Sequence, residues 1–459
     1  MPVRRNVSDL APNGARMEAI RDGVREMKRR PATDPTSWRF QANIHGTFDT
    51  PAQPTWNQCQ HGTFFFLSWH RMYIYFFERI LRDASGSPNL ALPYWKWNTT
   101  RALPVAFRQP ATSSNPLYES RRAQGINSGA QLPLSAVRTG PAMNLTNFSS
   151  RLGSGLSFGG QRVTQPSHFA GPHGALENQP HDGVHVLVGG PGGPNQSWMA
   201  FPETAARDPI FWLHHAMIDR LWTRWLDQGG GRQNPVNNSA WMDTQFRFYD
   251  ENGQQVTMRG RDILDTVNQL DYRYDDDMPA SGVRVPLVAR AEEDAQRDDS
   301  IERTLLGESG GEGMIEFGAA PRMVTVDLEY ATADKIEALT RAEAVPRKDR
   351  VVLNVEGVQF DARSPGVVYE VYLNLPEGTE PDHRSDYYVG NVAFFGVGGH
   401  GEDDAGGHGA HPADLNFDVT DVIRVLRRRD EWSRRSARVS FVMRGLEPPA
   451  DEARSAEPA

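Results

Sequence analysis

The sequence predicts a mainly α-helical domain with long loops, followed by a small all-β sandwich domain. Helical apolar periodicity occurs in several segments before residue 230, whereas residues 98–170 are rich in Gly, Pro, Ser and Asn and carry little periodicity. Beyond residue 320 apolar residues recur instead with a period of two, which is typical of strands. The length of 459 residues exceeds one typical core and indicates two domains.

Three segments carry clear helix signals. The first, 15–29, follows a leader strand or turn, and the second, 70–81, is strongly apolar. The third, 208–222, begins with Asp208 as the N-cap and with Pro209 in the first turn, where the missing N–H of proline removes no helix hydrogen bond. These helices are rigid supports for the side chains that they carry.

Six histidines form two clusters about a hundred residues apart. The first cluster is His45, His61 and His70, and the second is His181, His185 and His215. His181 and His185 are four residues apart, a spacing at which a helix projects both rings from one face toward one ion. Three neutral imidazoles suit a redox-active copper ion. Zinc is the alternative, but neither set includes a carboxylate or thiolate.

The first cluster requires a loop ligand. His61 and His70 are nine residues apart, which corresponds to about 900° of helical rotation and places them on opposite faces of a continuous helix. His70 is therefore expected on the apolar helix and His61 in the loop before it. The chain's one cysteine, Cys59, lies two residues before His61, where a covalent or packing restraint would hold this loop.

These motifs resemble those of the tyrosinase, catechol oxidase and haemocyanin superfamily of type-3 dicopper proteins. The resemblance rests on residues 59–61, 65–71 and 208–215 and covers roughly residues 1–280. It implies a copper-binding domain built on a four-helix bundle, with two copper ions that bind O₂. By this matching the first copper takes His45, His61 and His70, and the second takes His181, His185 and His215. His214 is then a packed neighbour.

The resemblance also implies roles for residues beside the ligands. Some family members join the matching cysteine to the second histidine of the first site, so a thioether between Cys59 and His61 is expected. Glu177 matches a glutamate that holds a water beside the second copper, where a base is needed to hydroxylate monophenols. Asp182 stands where many hydroxylating members have asparagine. It is interpreted as a stronger base, a stray charge or simply a helix-surface acid, which leaves hydroxylation open.

Two further features are interpreted from the family pattern. Val186, Phe201 and Pro202 fall where the family places entrance and gate residues, which implies an open, apolar entrance suited to neutral phenols. The segment 272–274 contains two tyrosines and resembles the motif with which the family closes its copper domain. Arg4 or Arg5 is expected to pack against it; the alternative is two ordinary strand tyrosines.

The domain boundaries follow from composition and periodicity, and the resemblance implies what the first and the C-terminal domain are. We predict a tyrosinase-type dicopper catalytic domain over 1–290, an acidic Gly-rich linker over 291–320, a C-terminal β-sandwich lid over 321–447 and a flexible tail over 448–459. Strands are predicted at 324–330, 350–358, 368–374 and 437–442. The segment 367–374 resembles the C-terminal domain of plant-type polyphenol oxidases, which covers the copper pocket until it is removed.

Composition excludes several classes of protein. With 58 acidic against 49 basic residues, the net charge of −9 argues against nucleic-acid binding, and no run approaches a membrane span. One cysteine allows no intramolecular disulfide, and the N-terminus lacks the apolar region of a secretory signal. A cytoplasmic location is expected, with export alongside a partner protein as an alternative. The loop 400–411 is interpreted as an exposed turn rather than a metal site.

The expected function is that of a copper-dependent phenol oxidase. It would use O₂ to oxidise o-diphenols to o-quinones, would also hydroxylate monophenols, and would be latent until the C-terminal domain is displaced. A haemocyanin-like O₂ carrier is the first alternative, although the chain size and the lack of repeated copper units argue against it. A zinc-binding structural protein is the second. The expected partners are a small phenol and O₂, and the oligomeric state stays open.

Overall fold

The structure is a computed structural model that describes residues 1–151, 156–167, 173–276, 304–309, 316–341, 350–358, 363–396 and 413–450. Most of the predicted linker, the loop 400–411 and most of the predicted tail therefore lie outside the described residues. Among the helices of the described ranges, none combines the length and the apolar character that crossing a membrane requires.

Twelve α-helices and thirteen strands occur in the described ranges, together with four short helical turns of other types. The helices are α1 (Ala15–Arg29), α2 (Trp38–His45), α3 (Phe66–Ala84), α4 (Val105–Arg108), α5 (Gln124–Ser128), α6 (Gly140–Asn144), α7 (Asp182–Gly189), α8 (Pro202–Ala205), α9 (Pro209–Asp227), α10 (Ser239–Asp243), α11 (Tyr330–Arg341) and α12 (Thr420–Arg428). The strands are β1 (Val3–Arg4), β2 (Pro191–Gly192), β3 (Gln245–Tyr249), β4 (Gln255–Arg259), β5 (Arg273–Tyr274), β6 (Gly307–Glu308), β7 (Arg322–Leu328), β8 (Val352–Val358), β9 (Ser364–Pro365), β10 (Val368–Leu373), β11 (Tyr388–Val392), β12 (Ala413–Asp418) and β13 (Ser436–Arg444).

The three longest helices of the first domain carry much of its core. Helix α1 has the predicted bounds, and it buries Met17, Ile20, Val24 and Met27, which lie three or four residues apart on one face. Helix α1 packs against α3, and α3 packs against α9. A side chain at Gly23 would collide with Leu81, so glycine permits the close approach of α1 and α3. The expected four-helix bundle stays a prediction.

Helix α9 begins as the sequence predicts. The carboxylate of Asp208 accepts a hydrogen bond from the backbone N–H of Ile210 at 3.0 Å, and Pro209 occupies the first turn. Arg122 donates two further hydrogen bonds to the same carboxylate, at 2.6 and 2.7 Å. A loop of the Gly- and Pro-rich region is thereby tied to the start of α9, because the buried Asp208 needs a counter-charge.

A buried cluster of charges ties the N-terminus to the helices. The Asp219 carboxylate accepts hydrogen bonds from Arg71 at 2.5 Å and from the hydroxyls of Tyr272 and Tyr274 at 2.6 Å each. The Arg4 guanidinium lies 3.7 Å from the centre of the Tyr272 ring and donates to Asp219 at 3.2 Å. Burial raises the pKa of Asp219, but Arg71 and Arg4 lower it below its ordinary value. The packing of an N-terminal arginine against the tyrosine motif is confirmed, with Arg4 in that position.

The C-terminal domain is not all β, and that prediction is wrong. Its five-stranded antiparallel sheet has the order β11-β10-β13-β7-β6, and β12 pairs with β8. Helices α11 and α12 are added to these strands. Ile336 of α11 and Ile423 and Leu426 of α12 are buried in one cluster with residues of the strands. The helices form because these apolar side chains recur with a helical period and cover the sheet. The expected sandwich stays a prediction.

Part of the predicted linker is a strand. Gly307 and Glu308 pair in antiparallel register with Leu328 and Asp327 of β7. A side chain at residue 307 would collide with the carbonyl oxygen of Asp327, so the glycine that suggested a linker instead lets this edge strand approach.

The two domains share an interface. Strand β2 of the first domain pairs with β9, and Gln131 exchanges backbone hydrogen bonds of 2.8 Å with Glu447. Three residues of the C-terminal domain, Val368, Ala393 and Phe395, belong to the apolar core of the helical domain. The C-terminal domain therefore extends into the same core that contains the histidine clusters.

Candidate metal centre

The first histidine set, His45, His61 and His70, is assembled from two helices and a loop. His45 is the last residue of α2, His70 lies in the first turns of α3, and His61 precedes α3 in the loop, as the spacing predicts. All three side chains are buried, and each offers a nitrogen within 4.8 Å of the others.

The second set has a loop-to-helix junction and a long helix as supports. An irregular helical turn, Glu177–His181, contains Gln179 in an extended conformation and leads directly into α7. His181 and His185 face one ion position from this junction, and α9 contributes His215. The Nε2 atoms of His185 and His215 are 3.4 Å apart. The structure thus brings together all three histidines that the sequence predicts.

The two sets face each other. The rings of His70 and His215 are stacked, with centroids 4.3 Å apart and an angle of 7° between their planes. The centroids of His61 and His181 are 5.7 Å apart. Two ions held by these rings would be close neighbours, which is what joint reduction of one O₂ molecule requires.

Hydrogen bonds donated by Nδ1 fix the orientation of four rings. The Nδ1 atoms of His45, His70 and His185 each lie 2.8 Å from a backbone carbonyl oxygen, belonging to Pro202, Phe66 and Met199 respectively. The Nδ1 atom of His181 lies 2.8 Å from a carboxylate oxygen of Asp182 instead. A neutral imidazole that donates its proton through Nδ1 keeps the lone pair on Nε2 for a metal.

Burial keeps the rings of His70, His181, His185 and His215 neutral. Burial lowers the pKa of His70 to about 3, and burial together with the neighbouring imidazoles lowers the pKa values of His181 and His215 well below 6.5. The Nε2 atoms of His70 and His181 have no hydrogen-bond partner within the described ranges. Buried polar atoms without a partner are costly, so these nitrogens fit the role of metal ligands. With imidazole donors alone, the set suits copper.

His214 is packed beside the second set, and its ring is the fourth histidine there. Its Nδ1 accepts a hydrogen bond from the indole N–H of Trp97 at 3.1 Å. Burial lowers its pKa to about 3, so the ring is neutral and its single proton is on Nε2. In this tautomer Nε2 has no lone pair to give a metal, which favours His215 as the third ligand.

Glu177 and Asp182 are both buried next to the second set. Glu177 accepts hydrogen bonds from the backbone N–H of Gly62, at 3.0 and 3.1 Å from its two oxygens, and burial raises its pKa to about 8. Asp182 is almost inaccessible and has both oxygens engaged, one by His181 and one by His173. The alternative of a helix-surface acid is therefore wrong for Asp182, because its side chain points into the protein.

The three gate residues lie close to the histidines. Pro202 is buried and accepts the Nδ1 hydrogen bond of His45 through its carbonyl oxygen. Val186 is fully buried in α7, and Phe201 is partly exposed. The gate role of these residues stays a prediction.

Phe395, which sequence reasoning missed, lies on the second set. Its ring stacks on His185 with centroids 4.0 Å apart and an angle of 18°, and it makes edge contacts with His181 and His61 at 5.4 and 5.6 Å. It is fully buried. Phe395 follows β11 in the C-terminal domain, so this domain contributes a ring that contacts histidines of both sets.

Comparisons with known proteins agree with this geometry. The family described as the common central domain of tyrosinase matches residues 35–228, the polyphenol oxidase middle domain matches 236–285, and a domain of unknown function, DUF7868, matches 302–453. The chain is 33% identical to a tyrosinase of Hahella sp. (strain CCB-MM4) over 96% of its own length and 95% of that protein. It is 34% identical to the latent polyphenol oxidase of Prunus armeniaca, over 54% of this chain and 44% of that protein.

Solved structures share the whole architecture. The match to the structure of latent apple tyrosinase covers 97% of this chain and 95% of that chain, with a TM-score of 0.67 and 23% sequence identity. The match to a latent aurone synthase, a polyphenol oxidase, covers 96% of this chain and 86% of that chain, with a TM-score of 0.63 and 23% sequence identity. At these identities the likeness concerns the fold, a mainly helical copper domain with a smaller β part.

We predict that His215→Ala lowers the copper content from two ions to about one per chain and abolishes phenol oxidation. The reason is that reduction of O₂ draws electrons from both ions. His214→Gln is the matched control: it should retain two ions, because Trp97 already occupies Nδ1 of His214. Copper is measured by elemental analysis of the purified proteins. Loss of one ion in His214→Gln, or full copper content in His215→Ala, would contradict the assignment.

Proposed function

The chain belongs to the tyrosinase and polyphenol oxidase family of type-3 dicopper enzymes, and on this premise we propose that it oxidises o-diphenols to o-quinones and is kept latent by its C-terminal domain. Two diphenol molecules each lose two electrons and two protons. One O₂ takes up these four electrons and four protons and becomes two waters. The alternative of an O₂ carrier does not fit the family members that the chain matches, which are phenol oxidases.

Each copper ion is held by three imidazoles in this proposal. His45, His61 and His70 hold the first ion, and His181, His185 and His215 hold the second. When bound, the copper pair supplies the binding of O₂ and the exchange of electrons with the substrate. Burial keeps the ring of His70 neutral, and hydrogen bonds from Nδ1 fix the direction of His45, His70, His181 and His185.

The observation that carries the proposal is the position of Phe395. An aromatic ring stacks on His185 at 4.0 Å and is surrounded by histidines of both sets. A phenol ring has the same shape and the same flat apolar faces, so it suits this position beside the second copper. Its hydroxyl groups would then reach toward the ions, which an o-diphenol does with two adjacent oxygens.

Latency follows from the same contact. Phe395 and a diphenol cannot occupy one position, so the substrate binds only after this ring moves. The ring is held by the interface between the domains, where Gln179 donates a hydrogen bond to Tyr388 at 3.3 Å and Arg101 forms an ion pair with Glu447. Removal of the C-terminal domain from the pocket would therefore raise activity toward bulky phenols while O₂ still enters.

We predict that Phe395→Ala raises diphenol turnover several-fold with two copper ions retained, because the ring no longer competes with the substrate. Oxygen uptake with an o-diphenol measures the effect. Phe394→Ala is the matched control, since Phe394 packs within the C-terminal domain against Tyr369. Equal activation by both variants would attribute latency to loosening of the domain rather than to the ring. No turnover in either variant would favour the O₂ carrier.

We further propose that the enzyme hydroxylates monophenols with Glu177 as the proton acceptor. Burial gives Glu177 a pKa of about 8, close to neutral pH, where a carboxyl group both takes up and releases protons. Asp182 was the other candidate. Both of its oxygens are engaged by imidazoles, at 2.6 and 2.8 Å, so we propose a different role for it.

Glu177→Gln should lower monophenol hydroxylation by about 100-fold or more, in line with the usual contribution of a general base, while diphenol oxidation changes far less. Glutamine keeps an oxygen to accept from Gly62, so the local fold is preserved. Glu203→Gln, which changes a buried acid of α8, is the control and should leave the ratio of the two activities unchanged. An equal loss of both activities in Glu177→Gln would count against a base role.

We also propose the thioether between Cys59 and His61. Cys59 is fully buried, and its loop is fixed to α2 by backbone hydrogen bonds from Asn57, Gln58 and Cys59 to Asn43, Ile44 and His45. Burial raises the pKa of the thiol, so it does not ionise at neutral pH. Formation of the bond removes two hydrogens, and O₂ at the copper centre is the oxidant that accepts the two electrons and two protons.

The mass of a peptide containing both residues tests this bond. After copper loading in air it should be two hydrogens lighter than the sum of the free residues, and Cys59 should resist alkylation in the denatured protein. Cys59→Ser is expected to fold but to release copper faster, because the loop that carries His61 regains conformational freedom. An alkylated thiol in copper-loaded protein would exclude the bond.

A further inference from the structure

His181, a ligand of the second copper site, differs from three other ligands in the type of group that its Nδ1 contacts. His45, His70 and His185 have backbone carbonyl oxygens next to Nδ1, whereas His181 has the carboxylate of Asp182 at 2.8 Å. A hydrogen bond to a carboxylate is stronger than one to a carbonyl, and it makes the imidazole a better electron donor to a metal.

This carboxylate is buried beside a neutral metal ligand. The Asp182 side chain is 2% exposed, and burial keeps the ring of His181 neutral. Burying a carboxylate without a compensating group is energetically costly, so a partner of opposite charge stabilises the ionised form of Asp182.

His173 provides this partner. Its Nδ1 lies 2.6 Å from the second carboxylate oxygen of Asp182, and its side chain is 5% exposed. The same Nδ1 lies 3.9 Å from Glu177, so His173 sits between two acids. Burial lowers the pKa of His173, but the charges of Asp182 and Glu177 raise it to about 9.

We infer that His173 is a positioning residue of the second copper site, acting through Asp182 on His181. His173 compensates the negative charge of Asp182 and donates a hydrogen bond to one carboxylate oxygen. The other carboxylate oxygen then accepts a hydrogen bond from Nδ1–H of His181. The lone pair on Nε2 of His181 is then directed to the metal by a chain of two hydrogen bonds. This inference rests on the copper ligands of the proposed function and is independent of the substrate.

The expected effect is confined to one of the two ions. His173→Phe leaves Asp182 buried without compensation, so the carboxylate no longer holds His181 in place. Loss of such an outer partner weakens metal binding by about 10- to 100-fold. In the first site, the Nδ1 atoms of His45 and His70 lie against backbone carbonyl oxygens that are not part of this chain of hydrogen bonds. The first ion is therefore expected to stay bound.

The experiment measures copper release from fully loaded full-length protein to a Cu(I) chelator under reducing conditions, with no phenol present. His173→Phe should release one copper per chain at least tenfold faster than the parent protein and retain the other. His383→Phe, a histidine of the C-terminal domain, is the control for the substitution and should release copper like the parent. Equal release of both ions, or release at the parent rate, would overturn the inference.

The double variant His173→Phe/Asp182→Asn separates charge compensation from simple packing. The asparagine amide is neutral, so it needs no partner, and its oxygen still accepts from His181. The double variant should therefore release copper as slowly as Asp182→Asn alone. If it is as fast as His173→Phe, then His173 acts only through packing and the inference fails.

Folding of the variants is followed in the metal-free proteins. If His173→Phe does not fold, recovery of folding in the double variant supports compensation of the buried charge, and continued failure contradicts it. Because no phenol is used, a wrong substrate in the proposed function leaves these results unchanged. If the histidine set did not bind copper, the parent protein would fail to load two ions, which distinguishes the two failures.

Discussion

The need to keep buried imidazoles neutral and correctly oriented controls the rest of this structure. A ring that gives a lone pair to copper must place its proton on the opposite nitrogen, and four of the ligand rings have an acceptor for that proton inside the core. Phe66, Met199 and Pro202 supply backbone carbonyl oxygens for this purpose. Phe66 and Pro202 are the first residues of α3 and α8, and Met199 lies shortly before α8. The starts of these two helices are thus fixed by the chemistry of the centre as much as by apolar packing.

Several buried charged groups of the described residues form compensated clusters. Asp219 has Arg4 and Arg71, and Asp208 has Arg122, so each carboxylate ties distant segments together. Such clusters cost desolvation, and their benefit lies in fixing which segments meet.

The two domains are joined through the same aromatic packing that lines the centre. Phe395 belongs to the C-terminal domain by position in the chain and to the helical core by contact. A ring in this position fills the space beside His185. In the proposed function the same contact also excludes an aromatic substrate, so stability and restraint of activity would come from one contact.

The sequence by itself determined the elements with local signatures. The spacing of His181 and His185, the cap at Asp208 and the helical period of α1 predicted where rings and helices lie, because each depends on neighbours a few residues away. Tertiary structure alone decided the contacts of Phe395 with His185, of Trp97 with His214 and of His173 with Asp182. The first two join residues more than a hundred positions apart, and the third crosses an irregular turn, so no periodicity or motif marks them. They form only because folding buries these side chains together and each must then find a partner.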